Sequence, residues 1–223
     1  MTDRARARSL ARDSIERGDL VGWFESLYAE AERGEAVVPW ADLAPNPHVV
    51  EWLDRERPAP GRALDIGTGL GDTAEDLSRR GFSVVAFDVS PTAIATAQRR
   101  YPQSAVDYCV LDLLHLPASL DRSFDLVVEC YTLQVLPPSA RGAAVEALRR
   151  LIAPGGSLLV VARARESTEP EGEMPWPLTQ AEVVGIARED LRLAALEDFI
   201  DSEDPPVRRF RARFQRDARP AKA

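Results

Sequence analysis

The sequence predicts a doubly wound α/β fold: a seven-stranded sheet, mostly parallel with an antiparallel last strand, behind an N-terminal helical cap. Three observations carry this expectation. From Arg62 onward, apolar β-branched runs alternate with helical stretches, the pattern of strand–helix–strand units. The runs are apolar throughout, as in parallel strands covered on both faces. The first of them, ALDIG, opens into glycine at every second position, Gly67, Gly69 and Gly71, and a helical stretch follows at once.

The front of the chain is helical in pattern. Between Ser9 and Gly34, Leu10, Ile15, Leu20, Trp23, Phe24, Leu27 and Tyr28 recur with helical spacing, and Gly18 and Gly34 punctuate it. The opening MTDRARARSL reads as a solvated, Arg-rich tail, and it lacks the apolar stretch of a secretory signal. A Pro-rich turn and a second helix near His48–Arg57 complete residues 1–60 as a cap, with residues 61–223 as one structural unit.

Within that unit the expected strands are 62–67, 83–89, 105–111, 124–130 and 157–163, with helices near 71–80, 91–100 and 138–152. The connection at Leu113–Arg122 is short enough to hold only a turn. After a polar, Pro-rich loop (ESTEPEGEMPWPLT) come a helix at 180–188 and two strands, 192–200 and 207–215. In the last, Phe210, Ala212 and Phe214 alternate with Arg209, Arg211 and Arg213, the period of a strand with one partly wet face. The short link between these two runs predicts a hairpin and an antiparallel pairing.

Composition sets bounds. A chain of 223 residues, 45% hydrophobic and 29% charged, is globular and buries a large core. No apolar run reaches the length of a membrane span. The net charge of −8 argues against a protein built to grip phosphate backbones, although the segment 207–223 carries seven basic residues against Asp217 alone. Cys109 and Cys130 sit in apolar runs without a CxxC motif, so reduced thiols and a cytoplasmic location are expected.

The glycines after strand 1 let the chain turn sharply and let a ligand lie against the backbone, beside the free N–H groups of the following helix. In an open α/β sheet, ligands bind beyond the carboxyl ends of the strands. The dinucleotide fingerprint G-x-G-x-x-G fails here, because Asp72 stands where its third glycine belongs. An acid at that helix start is expected to repel a pyrophosphate. It suits a cationic ligand such as S-adenosylmethionine (SAM).

At these residues the sequence resembles the class I SAM-dependent methyltransferase family. The resemblance runs from about Ala63 to Glu166 through LDIGTGLGD, VVAFDVSPTAI, VLDLLHLP, FDLVVECYTLQVLP and APGGSLLVVARARE. It implies a Rossmann-like sheet, SAM as cofactor and S-adenosylhomocysteine (SAH) as product. It also implies residue roles. Asp65 supports the glycine loop and the amino-acid end of SAM; Gly67, Thr68 and Gly69 pass close to it. Asp88, 23 residues after Asp65, and Val89 take the ribose, and Asp112 and Leu113 flank the adenine. Glu129 and Tyr131, at the end of strand 4, stand where the methyl meets the acceptor and are the expected catalytic pair, with Glu129 also expected to contact the cofactor. For Asp65 a purely bracing role, and for Asp88 a capping role ahead of Ser90-Pro91, are the alternatives. In outline the chain is similar to small-molecule methyltransferases of the thiopurine and tellurite-detoxification kind, which implies Trp40 at the cofactor and Trp176, with Tyr131, at the acceptor.

Several motifs are missing. The [D/N]-P-P-[Y/F] signature of amino-group methylation on nucleic-acid bases or glutamine is replaced by Glu129-Cys130-Tyr131-Thr132, and Cys130 reads as a strand residue rather than a nucleophile. After strand 5, Arg163-Ala164-Arg165-Glu166 stands in place of an Asp-Asn metal signature, and His48 and His115 are the only histidines, so no metal site is expected. The expected function is metal-independent, in-line transfer of a methyl group to a small-molecule acceptor, a reaction that needs alignment and a dry site more than a triad. The alternatives are a SAM-binding protein without turnover, a nucleic-acid methyltransferase and a nucleotide-dependent oxidoreductase.

Overall fold

A computed structural model describes residues 3–218. Three helices lead the chain: α1 (Asp3–Glu16), α2 (Gly22–Glu32) and α3 (Pro47–Glu56). The alternating section follows as β1 (Arg62–Ile66), α4 (Asp72–Arg79), β2 (Ser83–Asp88), α5 (Pro91–Arg100), β3 (Asp107–Val110), β4 (Phe124–Cys130), α6 (Pro138–Leu151) and β5 (Ile152–Arg165). Two 3-10 turns, Leu113–His115 and Ala118–Leu120, fill the short connection from β3 to β4. The chain ends in β6 (Leu178–Thr179), α7 (Gln180–Val184), β7 (Leu191–Ile200) and β8 (Arg208–Arg216).

Seven strands lie in the order β3-β2-β1-β4-β5-β8-β7, and the two-residue β6 pairs with β5 off this path. The strands β1 to β5 pair in parallel, while β8 is antiparallel to both β5 and β7. The expected parallel sheet with a reversed last strand is therefore present, with β6 added.

The continuous apolar runs have a simple cause. Successive side chains point to opposite faces, and both faces are covered. Leu64, Val85, Val127, Leu158 and Val160 join one core with Ala144 and Leu148 of α6. Ala63, Val84, Ala86, Leu126, Val128, Leu159 and Val161 join another with Val49, Trp52 and Leu53 of α3 and Ala74 and Leu77 of α4. A third cluster gathers Ala7 and Ala11 of α1, Trp23, Leu27 and Tyr28 of α2, Ala93 of α5, and Met174. Glu25 fastens α2 to the start of α5, accepting from Ser90 Oγ at 2.6 Å and from Thr92 Oγ1 at 2.7 Å.

Three expectations change. The N-terminal arginines are no solvated tail, because α1 begins at Asp3. Its buried stripe is Ala7, Ala11 and Ser14, small residues at helical spacing that arginines outweigh in the sequence. Arg8 Nε donates to the Met174 carbonyl at 2.7 Å, and Arg6 pairs with Glu30 of α2. The arginine face of β8 is wet only in part, at the half-buried Arg213. Arg209 and Arg211 are buried, neutralised by Asp201, Glu203, Glu197 and Glu51. Finally, α7 stops at Val184 with Gly185 at its C-cap. Arg219 and Lys222 of the basic segment lie outside the described residues.

Candidate active site

The crest after β1 is held in the left-handed region. Gly67, Gly69 and Gly71 have φ of +62°, +55° and +89°, a conformation that costs other residues about 1–2 kcal/mol. Sterics reinforce the choice. A Cβ at Gly67 would lie 2.6 Å from Thr132 Oγ1, one at Gly69 would lie 2.8 Å from Tyr28 Oη, and one at Gly71 would strike Tyr108 Oη. The glycines thus admit the protein's own hydroxyls as well as leaving the backbone bare, which corrects the reading that they only make room for a ligand.

Two buried carboxylates brace this crest. Asp65 accepts from Thr68 Oγ1 at 2.6 Å. Burial, with Asp88 nearby, pushes its pKa up to about 7 against the pull of the Thr68 bond. Asp88 accepts the Gly69 N–H on one oxygen (3.0 Å) and the Ser90 N–H on the other (2.9 Å); burial pushes it up to about 6. Ser90 in turn caps α5, its Oγ accepting from Ala93 N at 3.0 Å. At the next strand end, Asp112 accepts from Leu114 N at 2.9 Å and meets the exposed His115 Nδ1 at 2.7 Å.

A cavity of about 540 Å³ lies over these strand ends, within the roughly 300–1,000 Å³ that small-molecule sites occupy. Its wall brings together Asp65, Gly67, Thr68, Gly69, Asp88, Val89, Asp112, Leu113, Tyr131 and Trp40. Tyr131 adopts φ +67°. Its N–H donates to the Val161 carbonyl at 3.0 Å, and the Arg209 guanidinium lies 4.8 Å over its ring. Burial raises the phenol's pKa. Trp40 donates from Nε1 to Tyr28 Oη at 3.0 Å and packs edge-on to Trp23 and Phe24.

Glu129 and Trp176 do not line the cavity, and both expectations are corrected. Glu129 is fully buried and turns under the end of β4. One of its oxygens accepts from Thr132 N (2.7 Å) and Leu133 N (2.9 Å), the other has no partner among the described residues, and burial pushes its pKa up to about 7. Trp176 packs into the N-terminal cluster, with its N–H donating to the Gln134 carbonyl at 2.7 Å. Cys130 does line the cavity, and burial raises its thiol pKa.

Sequence reasoning missed part of the wall: Tyr28, Asn46, Arg4, Arg163, Arg209 and Glu203. Tyr28 reads as one more apolar helix position. Arg163, a charge closing an apolar strand, was the readable signal. Asp72 also differs from expectation, because Arg100 forks onto it at 2.7 and 2.8 Å, so its charge is balanced and does not by itself exclude a pyrophosphate.

A doubly wound sheet with a reversed last strand, a glycine crest and acids at three successive strand ends is the arrangement of class I SAM-dependent methyltransferases, and the comparisons point to the same chemistry. Residues 63–156 match the methyltransferase domain family. The chain is 26% identical over 169 residues to the 2-heptyl-1-hydroxyquinolin-4(1H)-one methyltransferase of Mycobacteroides abscessus, covering 74% of each chain. It is 34% identical over 118 residues to the ubiquinone biosynthesis O-methyltransferase of Xylella fastidiosa, covering 52% of this chain and 47% of that one, so it spans about half the length of such relatives. The 1,6-didemethyltoxoflavin-N1-methyltransferase of Burkholderia thailandensis, solved with bound 1,6-didemethyltoxoflavin and SAH, has the same fold. Its TM-score is 0.68 at 17% identity, over 87% of this chain and 85% of that one.

Proposed function

We propose that the protein binds SAM over the ends of β1, β2 and β3 and transfers its methyl group to a small molecule held over β4, β5 and β8. The observation that carries this reading is Asp88. Each of its oxygens takes one backbone N–H, and a carboxylate has about four acceptor positions, so capacity remains for two ribose hydroxyls beside the Gly67–Gly69 crest.

SAM, when bound, supplies a methyl group already activated on a sulfonium. The protein's residues provide position and surroundings. Asp65 and Thr68 hold the crest, and Asp112 with Leu113 flanks the adenine pocket. The acids Asp65 and Asp88 favour a cationic ligand, and ionise more readily when one binds. Tyr131, held by its main-chain bond to Val161 and by Arg209 over its ring, faces the acceptor as a hydrogen-bond donor, because burial keeps its phenol protonated. Phe24, Val21, Val135 and Met174 give the wall apolar surface that excludes water. Glu129 is a positioning residue, fastening Thr132 and Leu133 behind Tyr131. The division into residues 1–60 and 61–223 belongs to the same proposal, with α1, α2 and the 39–47 segment closing the cavity from above. So does a cytoplasmic location; no described helix is long and apolar enough to cross a membrane.

Calorimetry with SAH, followed by mass spectrometry for SAH release across a panel of small aromatic and aliphatic acceptors, tests the reading. Micromolar SAH binding and turnover of at least one acceptor are expected. Absence of SAH binding to folded protein refutes it, and tight SAH binding without turnover on any acceptor identifies a binding protein instead.

A further inference from the structure

The acceptor half of the cavity carries an unbalanced positive charge. Arg163, two residues before the end of β5, has a side chain only 19% exposed. Its main-chain N–H is tied to Gln134 Oε1 at 2.6 Å, yet among the described residues its guanidinium makes no hydrogen bond. The nearest carboxylate, Glu203, stands 3.7 Å away, beyond hydrogen-bond reach. Glu203 is already engaged by Arg209, which also holds Asp201 at 2.7 Å. Arg163 and Arg209 face each other directly across the β5–β8 ladder, an arrangement that like charges disfavour. Arg4 of α1 lines the same cavity, and its charge, like that of Arg209, works against Arg163. Three guanidiniums thus meet two carboxylates.

A guanidinium withdrawn from water is destabilising unless its five donors are satisfied. We infer that the methyl acceptor is an organic anion, with a carboxylate or comparably acidic oxygen, and that Arg163 receives its charge as the specificity-determining residue. This rests on the methyltransferase reading and extends it. The cavity is then polarised. Asp65 and Asp88 face the cationic cofactor over β1 and β2; Arg163 stands two strands from β1, about 10 Å across the sheet. The sulfonium and the acceptor's anionic group each meet opposite charge in their own half.

The test uses the full chain saturated with SAH and a matched pair of probes, 4-(trifluoromethyl)benzoate and 4-(trifluoromethyl)benzamide, titrated by fluorine NMR. The wild type is expected to bind the carboxylate about tenfold more tightly than the amide, the difference a charge-assisted contact makes. In R163Q the preference falls to near one and in R163K much of it remains, while SAH affinity stays within about twofold in both. Equal binding of the probes to wild type, binding of neither, or a preference that survives in R163Q overturns the assignment. The matched pair on wild type decides the question even where R163Q fails to fold. SAH binding without a carboxylate preference removes this assignment alone; failure of wild type to bind SAH removes the cofactor reading and this assignment with it.

Discussion

Asp88→Asn separates the cofactor role of this carboxylate from its structural role. In the folded chain its two oxygens accept two buried N–H groups, from Gly69 at 3.0 Å and Ser90 at 2.9 Å. Asparagine has the same shape but one acceptor oxygen, so one N–H loses its partner at a cost of about 1–3 kcal/mol. Removing the charge works the other way. Burial lifts Asp88 from 3.8 to about 6, which at about 1.4 kcal/mol per pH unit is a penalty of roughly 3 kcal/mol on the ionised form. The two effects are similar in size and opposite in sign, so the free protein's stability should move by no more than about 1–2 kcal/mol. Cofactor binding has no such compensation. Two ribose hydroxyls lose a charged acceptor and gain at best a neutral one, a difference of about 2–3 kcal/mol. SAH affinity should therefore fall roughly 30- to 150-fold. Calorimetry with SAH reads the affinity, and a thermal melt reads the stability. An SAH affinity within about threefold of wild type, on a protein with an unchanged Tm, would refute the ribose role.

Two further outcomes follow from the same crest. Gly69→Ala combines a φ of +55° with a Cβ placed 2.8 Å from Tyr28 Oη, so it should destabilise the fold by about 2 kcal/mol or more. Adding Tyr28→Phe removes the collision, and a double-mutant cycle in urea should show a favourable coupling of about 1 kcal/mol; strict additivity would mean that the hydroxyl is not what excludes the side chain. The pH dependence rests on Asp65 and Glu129, each lifted to about 7, and Asp88, lifted to about 6. These folded values exceed the unfolded ones, so the folded state holds more protons between about pH 4 and pH 7, and these groups lower stability as pH rises through that window. A cationic ligand favours the ionised acids, so SAM should bind roughly tenfold more tightly at pH 8 than at pH 6, with proton release detectable by calorimetry in buffers of different ionisation heat. A flat affinity profile across that window would contradict the placement of Asp65 and Asp88 at the cofactor.

The half of the molecule that binds the cofactor was legible because its determinants are local. An apolar strand, a glycine crest and a helix start follow one another within Ala63–Arg79, and Asp88 and Asp112 each close a strand that its own sequence announces. The burial of Arg209 and Arg211 in β8 was not legible because their partners are distant: Arg211 donates to Glu51 and to Glu197, neither predictable from period-two alternation. The first turns of helix α1 were read as a tail because Ala7, like Ala11 and Ser14 further along, buries without adding much hydropathy. Glu129 was placed at the reaction centre by its position at a strand end, but strand-end position does not say which way a side chain turns, and the N–H groups of Thr132 and Leu133 claim it. Trp176 likewise has the composition of an acceptor wall, yet it packs half-buried against the N-terminal cluster.

The acceptor half has a topological cause. In a sheet of parallel strands only strand ends reach the binding edge, and a parallel last strand would bring Arg216 there. The reversal of β8 between β5 and β7 brings the start of β8 to that edge instead. Arg209 therefore stands opposite Arg163, and the hairpin link from β7 delivers Asp201 and Glu203 to the same place. That link supplies two carboxylates for the cations that β5, β8 and α1 converge there. One reversed strand thus sets the sign of the charge at the acceptor's end, and it does so with residues that no contiguous motif connects. The prediction of a negatively charged acceptor is for this reason a statement about the strand order: it stands or falls with the pairing of β8 beside β5.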